Sequence, residues 1–373
     1  MNPLRQLAEF GQSLWVDNLQ RSYITKGTLK KFIDEDGLKG LTSNPTIFQK
    51  AVSGSEDYQD LFDAAKGKGV SGNDLYEQLA VRDVQGAADI LTPVYQTTKG
   101  QDGYASLEVS PRLALDTKAT LEEARRLWKT LARPNVMIKV PGTEAGVPAF
   151  EQLTSEGINV NVTLLFSQER YKAIAEAYVS GLEKFAASGG DVSKVASVAS
   201  FFISRIDAAV DKEIEKKLKA GATPEQQKTL EALSGKVAIA NAKLAYRSFK
   251  QVFSGARWEA LAKKGAKVQR VLWASTSTKN PKLRDVLYVE ELIGKDTVNT
   301  MPPATIDAFR DHGKVRASLE EDLPGAEATM RQLETAGVSI KSVTDTLATD
   351  GIRLFEESFD QLLSAVGEKL SKT

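Results

Sequence analysis

Short β-prone runs alternate with longer helical patterns through most of this chain, and that alternation restricts the fold more than any other feature. The runs are SLWVD (13–17), LKGLT (38–42), YASLEV (104–109), NVMIKV (135–140), INVNVTLL (158–165), KVASVAS (194–200), VQRVLWAS (268–275) and TVNTM (297–301). Between two of them, Tyr171, Ile174, Ala175, Tyr178, Leu182 and Phe185 fall at helical spacing, and Ser167 is placed to cap the first turn. Leu121, Ala124, Leu127, Trp128 and Leu131 repeat the pattern, with Pro134 just past its end. A helix between two strands carries the chain back so that the strands run parallel. Eight such units predict a (β/α)8 TIM barrel. A doubly wound open sheet is the alternative, because periodicity does not show closure.

Two spacings exceed a bare strand–helix unit. Segments 49–102 and 203–266 carry further helical patterns and read as insertions, so that 1–373 is expected to form one barrel domain. Residues 342–371 read as one long amphipathic C-terminal helix, with Leu354, Phe355, Phe359, Leu362 and Leu363 on its apolar side. GKGVSG (67–72) matches the G-x-G-x-x-G nucleotide pattern, but helical QDLFDAAK precedes it where a strand is required. It is expected to be a helix–helix connection.

Charge and composition narrow the chemistry. Lysines and arginines equal acids at 49 each, so no overall field draws the chain to nucleic acid or to an anionic membrane. There is no cysteine, and His312 in RDHGK is the only histidine, which excludes thiolate nucleophiles and His- or Cys-rich metal sites. Acid–base work is left to Asp, Glu, Lys, Tyr or water. The N-terminal MNPLRQLAEFGQSLW lacks the apolar run of a signal peptide, and a cytoplasmic location is expected. Nothing in these patterns specifies an oligomer.

The polar residues at the strand ends are unusual for a core. Asp17, Thr42, Asn44, Glu108, Lys139, Asn161, Thr163, Ser200 and Ser275 each fall inside or just after an apolar run. In a parallel barrel those ends form the catalytic face. Lys139 in NVMIKVPG has two readings. It lies on an edge strand and extends its ammonium to water, or it points into a shared polar pocket. In a pocket, desolvation favours a neutral amine, which attacks a carbonyl to form a Schiff base. The iminium then draws electrons from the adjacent carbon–carbon bond, and neighbouring carboxylates move the protons.

Together LWVDN (14–18), GLTSNPTIF (40–48), SLEVSPRLALD (106–116), VMIKVPGT (136–143), EGINVNVTLLFS (156–167), SFFISRID (200–207) and VNTMPPAT (298–305) resemble transaldolase, in the larger bacterial subgroup. The resemblance implies a class I aldolase-type barrel of the pentose phosphate pathway, working on sugar phosphates without metal or organic cofactor. It implies transfer of a dihydroxyacetone unit from sedoheptulose 7-phosphate or fructose 6-phosphate to an aldose phosphate. By the same resemblance Lys139 is the Schiff-base lysine and Asp17 the base and acid of cleavage and re-addition. Glu108 acts through a water positioned with Thr163. Asn44 and Asn161 hold hydroxyls of the three-carbon unit, Thr42 shapes the pocket, Ser200 orients the substrate and Arg205 binds phosphate. One segment departs from the family pattern. VLWASTSTKNP (271–281) has no arginine after Ser275, where many relatives have A-S-x-R-N, and Lys279 is the cation available instead. Two rivals are a fructose 6-phosphate aldolase, whose family carries tyrosine in place of Glu108, and a non-catalytic sugar-phosphate-binding barrel.

Overall fold

In the structure, a computed structural model describing residues 2–372, eight parallel strands close into a barrel in sequence order. They are β1 (Gln12–Asp17), β2 (Gly40–Thr42), β3 (Tyr104–Glu108), β4 (Val136–Pro141), β5 (Val160–Leu165), β6 (Ser197–Phe202), β7 (Arg270–Ala274) and β8 (Thr297–Met301). β1 pairs in parallel with β2 on one side and β8 on the other, so the open-sheet alternative is excluded. Every residue of β2 to β8 is buried, as expected when a barrel core lies on one face and helices on the other.

The strand boundaries shift from the apolar runs for local reasons. The sixth run was expected from residue 194, yet β6 begins at Ser197 because Asp191 caps a short turn, Val192–Lys194, through the Ser193 amide. Ser167 caps helix Gln168–Ala187 by accepting from the Arg170 amide, and Asp116 caps helix Thr117–Leu131 in the same way. Segment 67–72 connects helices Gln59–Ala65 and Gly72–Thr97, and Ser71 caps the second. The long spacing 203–266 holds helices Ser204–Lys219, Pro224–Leu233, Val237–Val252 and Gly255–Ala262.

Two features close the barrel's ends. At the N-terminal end, Arg270 and Asp102 are buried 2.9 Å apart. Arg270 also donates to the Ser13 hydroxyl (2.8 Å) and the Gln101 carbonyl (2.7 Å). Asp102 accepts in addition from Ser13 (2.8 Å) and Trp15 Nε1 (3.2 Å). Each charge therefore has several partners, the condition for a buried pair to persist. At the other end, the C-terminal helix Ile340–Lys372 crosses helices Pro45–Gly54, Gly72–Thr97 and Ser204–Lys219 and touches β5. Gly351 permits the approach, since a Cβ there would lie 3.0 Å from Leu164 Cδ2.

Asp102→Ala strands the Arg270 guanidinium without its counter-charge. It should destabilise the fold by about 3–5 kcal/mol while leaving KM unchanged, read as a lower chemical-denaturation midpoint. The paired replacement Asp102→Leu with Arg270→Met should cost less than the single change.

Candidate active site

Parallel register gathers the strand-end residues into one layer. Glu108 on β3 lies opposite Lys139 on β4, Lys139 lies opposite Asn161 on β5, and Asp17 on β1 lies opposite Thr42 on β2. They surround a cavity of about 310 Å³ at the C-terminal mouth of the barrel. Asp17, Thr42, Asn44, Lys139, Thr163, Ser200, Arg205, Ser275 and Lys279 line it. Glu108 and Asn161 do not line it but contact residues that do, Glu108 meeting Lys139 at 3.2 Å and Asn161 accepting from Ser200.

Lys139 is 4% exposed in a barrel without edges, so its ammonium does not reach water along an edge strand. Its Nζ donates to the Ser43 carbonyl (3.2 Å), lies 3.2 Å from Glu108 Oε2 and faces the Phe355 ring at 5.7 Å. Burial pushes the Glu108 carboxyl above its ordinary range; Lys139 opposes the shift and Asp17 adds to it. Burial likewise raises Asp17, against the pull of Lys139 and a hydrogen bond from Thr42 Oγ1 (2.7 Å). Thr42 is also 2.7 Å from the Thr300 hydroxyl. Two raised carboxyls beside one amine make a set that can hold and exchange a proton.

The remaining groups are held less uniformly. Asn161 donates to Ser106 Oγ (3.2 Å) and accepts from Ser200 (2.7 Å), which locks both against the barrel wall. Asn44 caps helix Pro45–Gly54 by accepting from the Ile47 amide (3.0 Å), leaving its amide NH₂ for the cavity. Thr163 lies where the β5–β6 register breaks, between Val162 and Leu165. Its buried hydroxyl has no hydrogen-bond partner among the described residues, and neither does Glu108 Oε1.

Positive charge gathers at the rim. Arg205 stacks over Phe202 at 5.2 Å, and burial lowers its pKa while Asp17 works against that. Exposed Lys279 donates to Ser277 (2.8 Å); desolvation and the charges of Arg205 and Lys50 lower its pKa. Ser275 holds φ +58° and its hydroxyl lies 2.8 Å from Ser204. The sequence reading missed Lys50, Phe202, Thr300 and Phe355 as lining residues. Helical spacing after Asn44 puts Thr46, Ile47 and Lys50 on one face, which was the available signal for Lys50. No comparable signal marks Phe355. His312 lies outside the cavity, exposed between Asp285 (2.9 Å) and Asp311 (3.0 Å). Among the described residues, no group of three or more His, Cys, Asp or Glu side chains is placed to hold a metal ion.

Comparison with known proteins decides the family. A model described as transaldolase/fructose-6-phosphate aldolase matches residues 14–366. The chain belongs to this family. It is 48% identical to the transaldolase of Trichodesmium erythraeum over 373 residues, covering 100% of this chain and 98% of the relative. It is 46% identical to that of Thiobacillus denitrificans over 367 residues, covering 98% and 100%. The transaldolase of Thermobifida fusca is 45% identical over 371 residues, covering 99% of each. The chain is thus an enzyme, a transferase of transaldolase type. Among the described residues no helix is long and apolar enough to cross a membrane.

A raised carboxyl in this transaldolase-family pocket has a sign-specific consequence. Below the ordinary carboxylate value of 3.8, Asp17 is protonated folded and unfolded alike and costs nothing. As pH rises through the interval up to its raised folded value, ionisation stabilises the unfolded chain more, and the folded state loses stability. Asp17→Asn mimics the protonated acid, so its Tm should exceed that of the parent at pH 7. The difference should shrink as the pH falls toward 3.8, in thermal scans across that range.

Proposed function

We propose that the chain moves a dihydroxyacetone unit from sedoheptulose 7-phosphate or fructose 6-phosphate to an aldose phosphate through an imine on Lys139. The observation that carries this reading is the placement of Lys139, buried 3.2 Å from Glu108 in the layer that also holds Asp17, under a rim of cations. The amine adds to the ketose carbonyl, and Glu108, through a water shared with the unpartnered Thr163 hydroxyl, protonates the departing oxygen. Asp17 takes the proton from the hydroxyl on the carbon that leaves as aldehyde. The iminium is the electron sink, so the chemistry calls for no metal or organic cofactor. Cleavage leaves a three-carbon enamine, held through Asn44, Asn161 and Ser200, until the acceptor aldehyde arrives and Asp17 returns the proton. The reaction belongs to the non-oxidative pentose phosphate pathway, and the location is cytoplasmic.

The phosphate end rests on Arg205, Lys279 and Lys50, which share the cavity with Ser275 and Ser277. Asp17 is the only carboxylate in that lining. Three cations brought together with one carboxylate among them repel one another, and a dianion relieves that cost. Lys50, near enough to Lys279 to help lower its pKa, adds charge where the 271–281 segment lacks the arginine.

Borohydride reduction with fructose 6-phosphate should leave a three-carbon adduct on the peptide containing Lys139. Lys139→Arg should lose both adduct and turnover; an adduct elsewhere would reassign the nucleophile. In the same assay, free dihydroxyacetone accumulating in the presence of acceptor would indicate an aldolase rather than a transferase.

Removing one charge-assisted phosphate contact costs about 1.5–3 kcal/mol. Arg205→Ala and Lys50→Ala should therefore each raise KM for erythrose 4-phosphate by about tenfold or more, with little change for glyceraldehyde. Lys279→Ala should raise KM in the same direction. Unchanged KM in all three variants would place the phosphate elsewhere.

A further inference from the structure

A second cavity, of about 240 Å³, lies behind Glu108 and shares no lining residue with the substrate cavity. The two approach each other across the 3.2 Å contact between Lys139 and Glu108. Glu108 and Tyr76 line the inner part, and exposed Asn73, Arg112 and Arg126 lie along the surface side. Tyr76 is wedged edge-on between Phe48 (5.8 Å) and Phe359 of the C-terminal helix (5.5 Å). Burial raises its phenol, and among nearby carboxylates Glu108 contributes most. Arg126 is tied to Glu77 and Glu123, which braces the outer wall.

The carboxylates at the two ends of the barrel differ in a telling way. Asp102 accepts hydrogen bonds from Ser13, Trp15 and Arg270, as a structural buried carboxylate should. Glu108 is 6% exposed; its Oε2 meets only the Lys139 ammonium at 3.2 Å, and its Oε1 has no hydrogen-bond partner among the described residues. A buried carboxyl with open acceptor sites beside a polar cavity is suited to mobile water.

The chemistry above requires such water. When the Lys139 amine adds to the ketose carbonyl, a carbinolamine forms. Its C–O bond then breaks, the oxygen takes a proton from Glu108 and departs as water, and the nitrogen lone pair closes the C=N bond. Each imine formed releases one water, and each imine hydrolysed consumes one. Meanwhile the sugar chain fills the front cavity, with its phosphate at the cationic rim.

We propose that the cavity behind Glu108 is a separate water channel, through which the water of imine formation and hydrolysis exchanges with solvent while substrate occupies the front. Tyr76 is its positioning residue, holding water against Glu108. This rests on the imine reading above, and the test separates the two.

Fructose 6-phosphate is incubated with the enzyme in ¹⁸O-water without acceptor. Label at the ketose carbonyl is measured by mass spectrometry and divided by the rate of imine formation from rapid borohydride quench. Asn73→Trp places bulk at the exposed outer end without disturbing the core, and Asn73→Ala is its control. With the channel blocked, released water returns to the same carbon, so label per imine should fall several-fold in Asn73→Trp and stay at the parent value in Asn73→Ala. KM for fructose 6-phosphate should not move in either. Tyr76→Phe should also lower the ratio and shift the pH profile of exchange, which loss of packing alone would not do. An unchanged ratio in Asn73→Trp overturns the channel while the imine stands. Absence of any Lys139 adduct in the parent enzyme overturns the imine itself, and the channel with it.

Discussion

Three ionisable side chains gathered in one layer, Glu108 and Lys139 buried and Asp17 partly so, set the terms for this molecule. Asp17, Glu108 and Lys139 would carry a net negative charge if all were ionised, in a place where water screens them poorly. Burial answers by raising both carboxyls, so that protonation of one relieves the repulsion between them. The same electrostatics that burden the fold make the layer chemically useful. A group poised between charge states can give and take protons in the course of a reaction, whereas a fully satisfied pair resists change.

Holding such a layer requires rigidity around it. Closure of β1 onto β8 leaves no strand free to shift register, and a one-residue slip would turn every inward side chain outward. The saturated Arg270–Asp102 network pins the opposite end of the barrel, where the chain can satisfy its buried charges without functional compromise. Over the mouth, the C-terminal helix brings Phe355 to Lys139 and Phe359 to Tyr76. It also ties Ser358 to Thr46 of the helix that Asn44 caps (2.9 Å). A segment outside the eight strand–helix units thereby helps shape both cavities.

Much of the architecture was legible because periodicity is a local property. Eight apolar runs separated by helical patterns correspond to eight strands, and Ser167 caps the helix its position suggested. The polar strand-end residues were legible for a related reason, since Lys139 inside NVMIKV or Glu108 inside YASLEV contradicts its surroundings. Lys50 and Phe355 were not, because a lysine on a helix and a phenylalanine on an amphipathic helix are ordinary residues until their neighbours are known.

By itself, then, the sequence determined the strand–helix alternation, the helix caps, and the residue types available for chemistry without cysteine and with a single histidine. Those properties depend on residues a few positions apart. Tertiary structure alone decided that the sheet closes, that Glu108 faces Lys139 rather than solvent, and that Lys50 joins Arg205 and Lys279 at one rim. It also decided that Glu108 backs onto a second cavity. Each of these joins residues tens to hundreds of positions apart, and their proximity is set by closure and packing, which no local pattern encodes.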